Sequence, residues 1–129
     1  KLIGAVSQEV LNTISEYKLD AFLKNVGYVS HDEAVLQQRK SQVLLLIEIN
    51  SEETKSIIPG KLFEYMVSER PIIAIGPNGS DFAEIITNTN TGVFAKYDDK
   101  EKLKNTIITY YNQFLESNIK SNSVSLLQY

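Results

Sequence analysis

Pro59-Gly60-Lys61-Leu62-Phe63-Glu64 places one carboxylate a single turn inside a predicted helix whose start carries Pro, Gly and Lys. Proline suits the first turn, where its missing N–H costs nothing. A helix start presents backbone N–H groups without intrahelical partners and a partial positive charge, a combination that suits a diphosphate. The helix end is worth about 0.3–1 kcal/mol to an anion. Gly60 permits close backbone approach, and Lys61 adds a point charge. One turn on, Glu64 can accept two hydrogen bonds from vicinal sugar hydroxyls, each charge-assisted bond being worth roughly 1.5–3 kcal/mol. The bland alternative is an i, i+3 ion pair between Lys61 and Glu64 on a solvated face, with Gly60-Lys61 a plain loop-to-helix junction.

The elements that would position these residues alternate regularly. Lys1 to Val6 reads as a buried strand. Ser7 can cap a helix in which Val10, Leu11, Ile14 and Tyr17 face a sheet. An extended apolar pattern follows from Phe22 to Val29, broken by Gly27. Ser30-His31-Asp32-Glu33 matches a capping box and starts a helix through about Lys40. Val43 to Ile47 is apolar at every position, as expected of a parallel strand covered on both faces. Asn50 to Ile58 is a polar loop. The helix at Pro59 buries Leu62, Phe63, Met66 and Val67, and Arg70-Pro71 ends it. Ile72 to Ile75 is a second covered strand. Gly76-Pro77-Asn78-Gly79 is a turn, and Ser80 caps a short helix with Asp81 and Glu84 in its first turn. Thr91 to Ala95 is a last strand. Leu103, Ile107, Tyr111 and Phe114 or Leu115 mark a long amphipathic helix, after which Leu126-Leu127 docks locally. This is an α/β pattern: a Rossmann-like parallel sheet with helices on both faces. It predicts a domain over residues 1–115 and a C-terminal tail over 116–129.

Composition narrows the partners. A net charge of −3 with no basic patch argues against nucleic acid. The chain has no cysteine and hence no disulfide framework. The apolar run Val43–Ile47 is too short to span a bilayer. The cytoplasm is the simplest compartment, at the inner face of the membrane if the acceptor is lipid-linked. The chain starts at Lys1 without a signal peptide and reads as a fragment of a longer protein.

Ligands of an open parallel sheet sit beyond the carboxyl ends of its strands. Three loops qualify: Gly27 to Ser30, Ser51 to Lys61, and Gly76 to Asp81. His31, the single histidine, falls in the first turn of a helix and is expected not to be catalytic. Glu52-Glu53 reads as a solvated charge pair.

The ordered set Gly27-Tyr28-Val29-Ser30-His31-Asp32-Glu33-Ala34, Val43-Leu44-Leu45-Leu46, Pro59-Gly60-Lys61-Leu62-Phe63-Glu64-Tyr65, Arg70-Pro71-Ile72-Ile73-Ala74-Ile75-Gly76 and Thr91-Gly92-Val93 resembles the donor-binding half of GT-B glycosyltransferases. The likeness is to the large retaining family that includes bacterial polysaccharide-building enzymes, and it covers roughly residues 1–115. The resemblance implies that Glu64 binds the ribose hydroxyls of a UDP-, GDP- or ADP-linked sugar, and that Gly60 and Lys61 hold the diphosphate. It places Tyr28 and Val29 against the base. Ser56, Gly79, Ser80 and Asp81 are candidates for the transferred sugar, although an ordinary capped turn also explains the last three. No cofactor or metal is implied, and the catalytic residues stay unassigned. The acceptor, a glycan or lipid-linked sugar, would be held by a further N-terminal domain, and the parent protein could associate peripherally with a membrane.

The sequence departs from that pattern twice. Many members carry Glu-x7-Glu, but the position eight before Glu64 is Ser56. The family's central first strand and its basic glycine loop are also missing, because Lys1–Val6 looks like the strand that follows them. Lys1–Val6 should then pair with Val43–Ile47, or another chain should fill the place, or a gap should be visible. Two other functions fit the architecture: a non-catalytic nucleotide-binding or interaction module, and a nucleotide-sugar epimerase. The epimerase would need paired acid/base groups that the lone histidine supplies poorly.

Overall fold

The computed structural model describes residues 1–119, so the expected docking of Leu126-Leu127 lies outside the described residues. Two compact units divide the chain, Lys1–Gln37 and Gln38–Tyr129.

In the first unit, helix α1 (Gln8–Glu16) is capped as its sequence suggests, with Ser7 Oγ accepting from Val10 N–H at 3.4 Å. Leu11 and Ile14 are half-buried, whereas Val10 and Tyr17, expected on the inward stripe, are exposed. Lys1–Val6 is not a buried strand. Its ladder pairing is one parallel bridge between Leu2 and Asn25, held by Leu2 N–H to Lys24 C=O and Val26 N–H to Leu2 C=O, both 2.9 Å. Helix α2 (His31–Lys40) begins as predicted, Ser30 Oγ accepting from Glu33 N–H at 3.2 Å.

The second unit is α/β with a Rossmann-like parallel sheet. Strands β1 (Leu44–Ile47), β2 (Ile72–Gly76) and β3 (Gly92–Lys96) lie side by side in chain order, all parallel. Helices α3 (Lys61–Val67) and α4 (Asp81–Thr89) make the two crossovers, and α5 (Lys100–Leu115) follows β3. Leu46, Ile72 and Ala74 on one sheet face pack with Leu62 and Met66 of α3 and Phe82, Ile85 and Ile86 of α4. Phe94 joins them, its ring edge-to-face with Phe82 at a centroid distance of 5.6 Å. Val93 points to the opposite face and lines an open groove with Lys102, Thr106, Tyr110 and Gln113 of α5. Helices therefore flank the sheet on both faces. Burial holds the Tyr110 hydroxyl above its ordinary pKa.

Four local expectations need correction. The run Val43–Ile47 is not covered on both faces: β1 is an edge strand, and Leu45 and Ile47 are 53% and 56% exposed while Leu44 and Leu46 are buried. Helix α3 ends at Val67, before Arg70-Pro71, because Glu69 takes a left-handed φ of 58°. Only Leu62 and Met66 of its expected stripe are buried; Phe63 and Val67 are exposed. In α5 the shielded positions are Leu103, Thr106, Tyr110 and Gln113, so the stripe lies one position off that of Ile107, Tyr111 and Phe114, all of which are exposed.

Candidate functional site

Parallel strands deliver their following loops to one edge, and hydrogen bonds tie these loops together. Tyr97, just after β3, donates through its hydroxyl to Glu48 C=O, just after β1, at 2.6 Å. The loop from β1 to α3 contains one 3-10 turn at Glu52–Thr54. From that loop Lys55 C=O accepts the N–H of Asp81, the first residue of α4, at 2.9 Å. Ser56 is thereby brought beside Ser80-Asp81, two of the three positions proposed with it for sugar contact. Ser56, Gly79 and Asp81 are exposed. Ser80 is 2% exposed, and its Oγ is buried without a partner among the described residues.

Ser80 holds the N-cap position of α4 by backbone geometry, φ −78° and ψ 148°, but its side chain makes no cap bond. The sequence expectation of a working cap is therefore corrected. Replacing a functioning serine cap costs about 0.5–2 kcal/mol. Here Ser80→Ala removes an orphaned buried hydroxyl, so stability should stay within about 0.5 kcal/mol of wild type or rise. Urea denaturation checks this; a loss above about 1 kcal/mol would show that the hydroxyl does have a partner.

Helix α3 starts on the same edge. Gly60 sits at its N-cap with φ −56° and ψ −29°, and a Cβ there would meet nothing within 4 Å. Among the described residues no packing demand therefore asks for glycine at this exposed position. The amide of Leu62 is already bonded to Pro59 C=O at 2.9 Å, so it is not open to an anion. The helix start is thus less generous than its sequence suggests, and a diphosphate would rely more on Lys61, which is exposed.

Glu64 lies one turn in and is half-buried. Its Oε1 accepts a hydrogen bond from Nε2 of Gln38 in the last turn of α2. Next to Gln38, Arg39 C=O accepts from Arg70 Nε at 2.9 Å. The end of α2 is thus fastened both to Glu64 in the first turn of α3 and to the chain just past its end. Neighbouring Tyr65 has its hydroxyl pKa raised, mainly by burial and further by the Glu64 charge. The phenol stays neutral at ordinary pH. Nothing in the sequence spacing announced the Gln38–Glu64 pair, whose members are 26 residues apart.

Tyr28 and Val29 belong to the first unit. Tyr28 is 89% exposed and Val29 half-buried, after a Gly27 with φ of 79°. His31 is exposed in the first turn of α2. Among the described residues no group of three His, Cys, Asp or Glu side chains is placed to hold a metal ion, and no helix is long and apolar enough to cross a membrane. The groove under α5 contains none of the expected site residues. No family model matches the chain, and neither the curated proteins nor the solved structures yield a match.

Proposed function

We propose that this chain is the donor-binding part of a glycosyltransferase, holding the nucleoside diphosphate end of a UDP-, GDP- or ADP-linked sugar. The observation that carries the reading is Glu64: a half-buried carboxylate, fixed by a neighbouring amide, one turn along a helix that starts at the carboxyl edge of a parallel sheet. In this reading Glu64 accepts the ribose hydroxyls, and Lys61 and the backbone at Gly60 meet the diphosphate. Ser56 with Gly79, Ser80 and Asp81 faces the transferred sugar, Ser80 through its backbone since its side chain is buried. During transfer, negative charge grows on the departing diphosphate, and a fixed cation such as Lys61 favours that state over the bound substrate. The acceptor would be a glycan or lipid-linked sugar held by another domain at the cytoplasmic face of a membrane.

Titration of the chain with UDP, GDP and ADP tests the reading. One of the three should bind, and Glu64→Ala should weaken it about ten-fold or more. Unchanged affinity in that variant would remove Glu64 from the site. A second reading, a nucleotide-binding module without transfer activity, is favoured by Ser56, which stands where many of the enzymes this chain resembles carry a glutamate. It predicts the same Glu64 dependence together with no turnover of any nucleotide-sugar by the parent protein.

A further inference from the structure

We infer that Gln38 is a positioning residue that orients the Glu64 carboxylate for a ribose diol. The inference rests on the reading of Glu64 given above and adds a specificity device to it.

Glutamate has three rotatable side-chain bonds, and a carboxylate that swings freely discriminates poorly between a diol and a single hydroxyl. Two hydrogen bonds to neighbouring hydroxyls require both acceptor directions to be in place at once. Gln38 supplies one such restraint through its amide N–H on Oε1. A carboxylate has acceptor directions for about four hydrogens, so an amide bond can restrain it without exhausting it.

The state of the amide shows which partner sets its direction. Gln38 Oε1 is buried and has no hydrogen-bond partner among the described residues. Turning the amide over would place that oxygen against the carboxylate, lone pair against lone pair. The observed orientation therefore serves Glu64 and leaves the other end of the amide unsatisfied. A contact that only joined two helices could do so with an apolar side chain and no orphaned acceptor. The backbone beneath is fixed as well, since Arg70 holds the carbonyl of the next residue, Arg39. Gln38 thus reaches Glu64 from an anchored turn.

The test compares each of UDP, GDP and ADP with its 2′-deoxy counterpart by calorimetric titration of wild type, Gln38→Met, Glu64→Ala and the double variant. Gln38→Met keeps length and packing while removing the donor and the orphaned acceptor, and Gln38→Leu serves as a second apolar variant; melting curves accompany both, so that titrations are read only on folded protein. The expected result is a preference for the ribose form that falls about three- to ten-fold in Gln38→Met, with no further fall when Gln38→Met is added to Glu64→Ala. A purely structural role would change the melting temperature and leave that preference untouched. If Glu64→Ala abolishes ribose preference while Gln38→Met and Gln38→Leu retain it, the positioning role is overturned and the site reading survives. If no nucleotide binds, or Glu64→Ala is silent, the site reading fails and this inference falls with it.

Discussion

Truncating Phe82 to alanine should destabilise the sheet-bearing unit by about 3–5 kcal/mol, the range for removing a buried aromatic. Phe82 has no exposed surface and sits among Leu62, Met66, Ile72 and Ile86 in the core. Its ring meets Phe94 edge-to-face, with an interplanar angle of 79°. It also lies tight against the end of β2: a Cβ on Gly76 would fall 2.5 Å from Phe82 Cζ. The ring thus fills the space that glycine leaves open and joins α4 to β2 and β3 at once. Small domains hold only about 5–15 kcal/mol in total, so a loss of this size brings the unit near its melting point. Urea denaturation followed by circular dichroism measures it. A loss below about 1 kcal/mol would mean that the surrounding side chains collapse into the void.

Gly92→Ala should cost a similar amount by the opposite mechanism. A Cβ at Gly92 would lie 1.9 Å from Ile72 O, 2.7 Å from Ile72 C and 2.8 Å from Ile72 N. These are backbone atoms of the neighbouring strand, which cannot swing aside as a long side chain can. Gly92 also opens the pairing of β3 with β2, opposite Ile72, and the adjacent Thr91 C=O accepts from Ile72 N–H at 3.1 Å. Relief of the overlap requires moving the strands apart where their register begins. Overpacking usually costs about 1–3 kcal/mol, and a clash with immovable backbone belongs at or above the top of that range. Amide hydrogen exchange provides the measurement: protection should fall along both β2 and β3 in the variant, while α2 keeps its own. Uniform protection at the wild-type level would refute the clash.

Local signals in the sequence carried the helix starts and the central strand. Ser7 and Ser30 cap α1 and α2 because a serine before an amphipathic or acidic first turn has one dominant use. The run Ile72–Ile75 became the buried middle strand of the sheet. The same rule failed for Val43–Ile47. An all-apolar run records that a strand can be covered on both faces, not that something covers it, and Leu45 and Ile47 are in fact exposed. The α5 stripe shifted because Thr106, Tyr110 and Gln113, polar by type, turn inward while Ile107 and Tyr111 face out. That choice is made by tertiary contact with Val93 and its neighbours, which periodicity does not encode. Ser80 shows the limit of cap motifs: its backbone obeys the rule and its hydroxyl does not. Of the candidate site, Glu64 and the glycine-lysine helix start were legible as types at a spacing. The Gln38 amide was not, because a pair formed between two helices 26 residues apart leaves no periodic trace.

The cross-linking of the edge loops bears on how this surface can change over time. Lys55 C=O receives the amide of Asp81, and Glu48 C=O receives the Tyr97 hydroxyl. Each tie runs from the stretch after β1 to the stretch after another strand. A substitution that bends one loop therefore drags a second one with it. Effects of paired changes here will not add, since contacting residues couple. Drift along this rim is constrained to proceed in concert, through linked sets of replacements and not solitary ones.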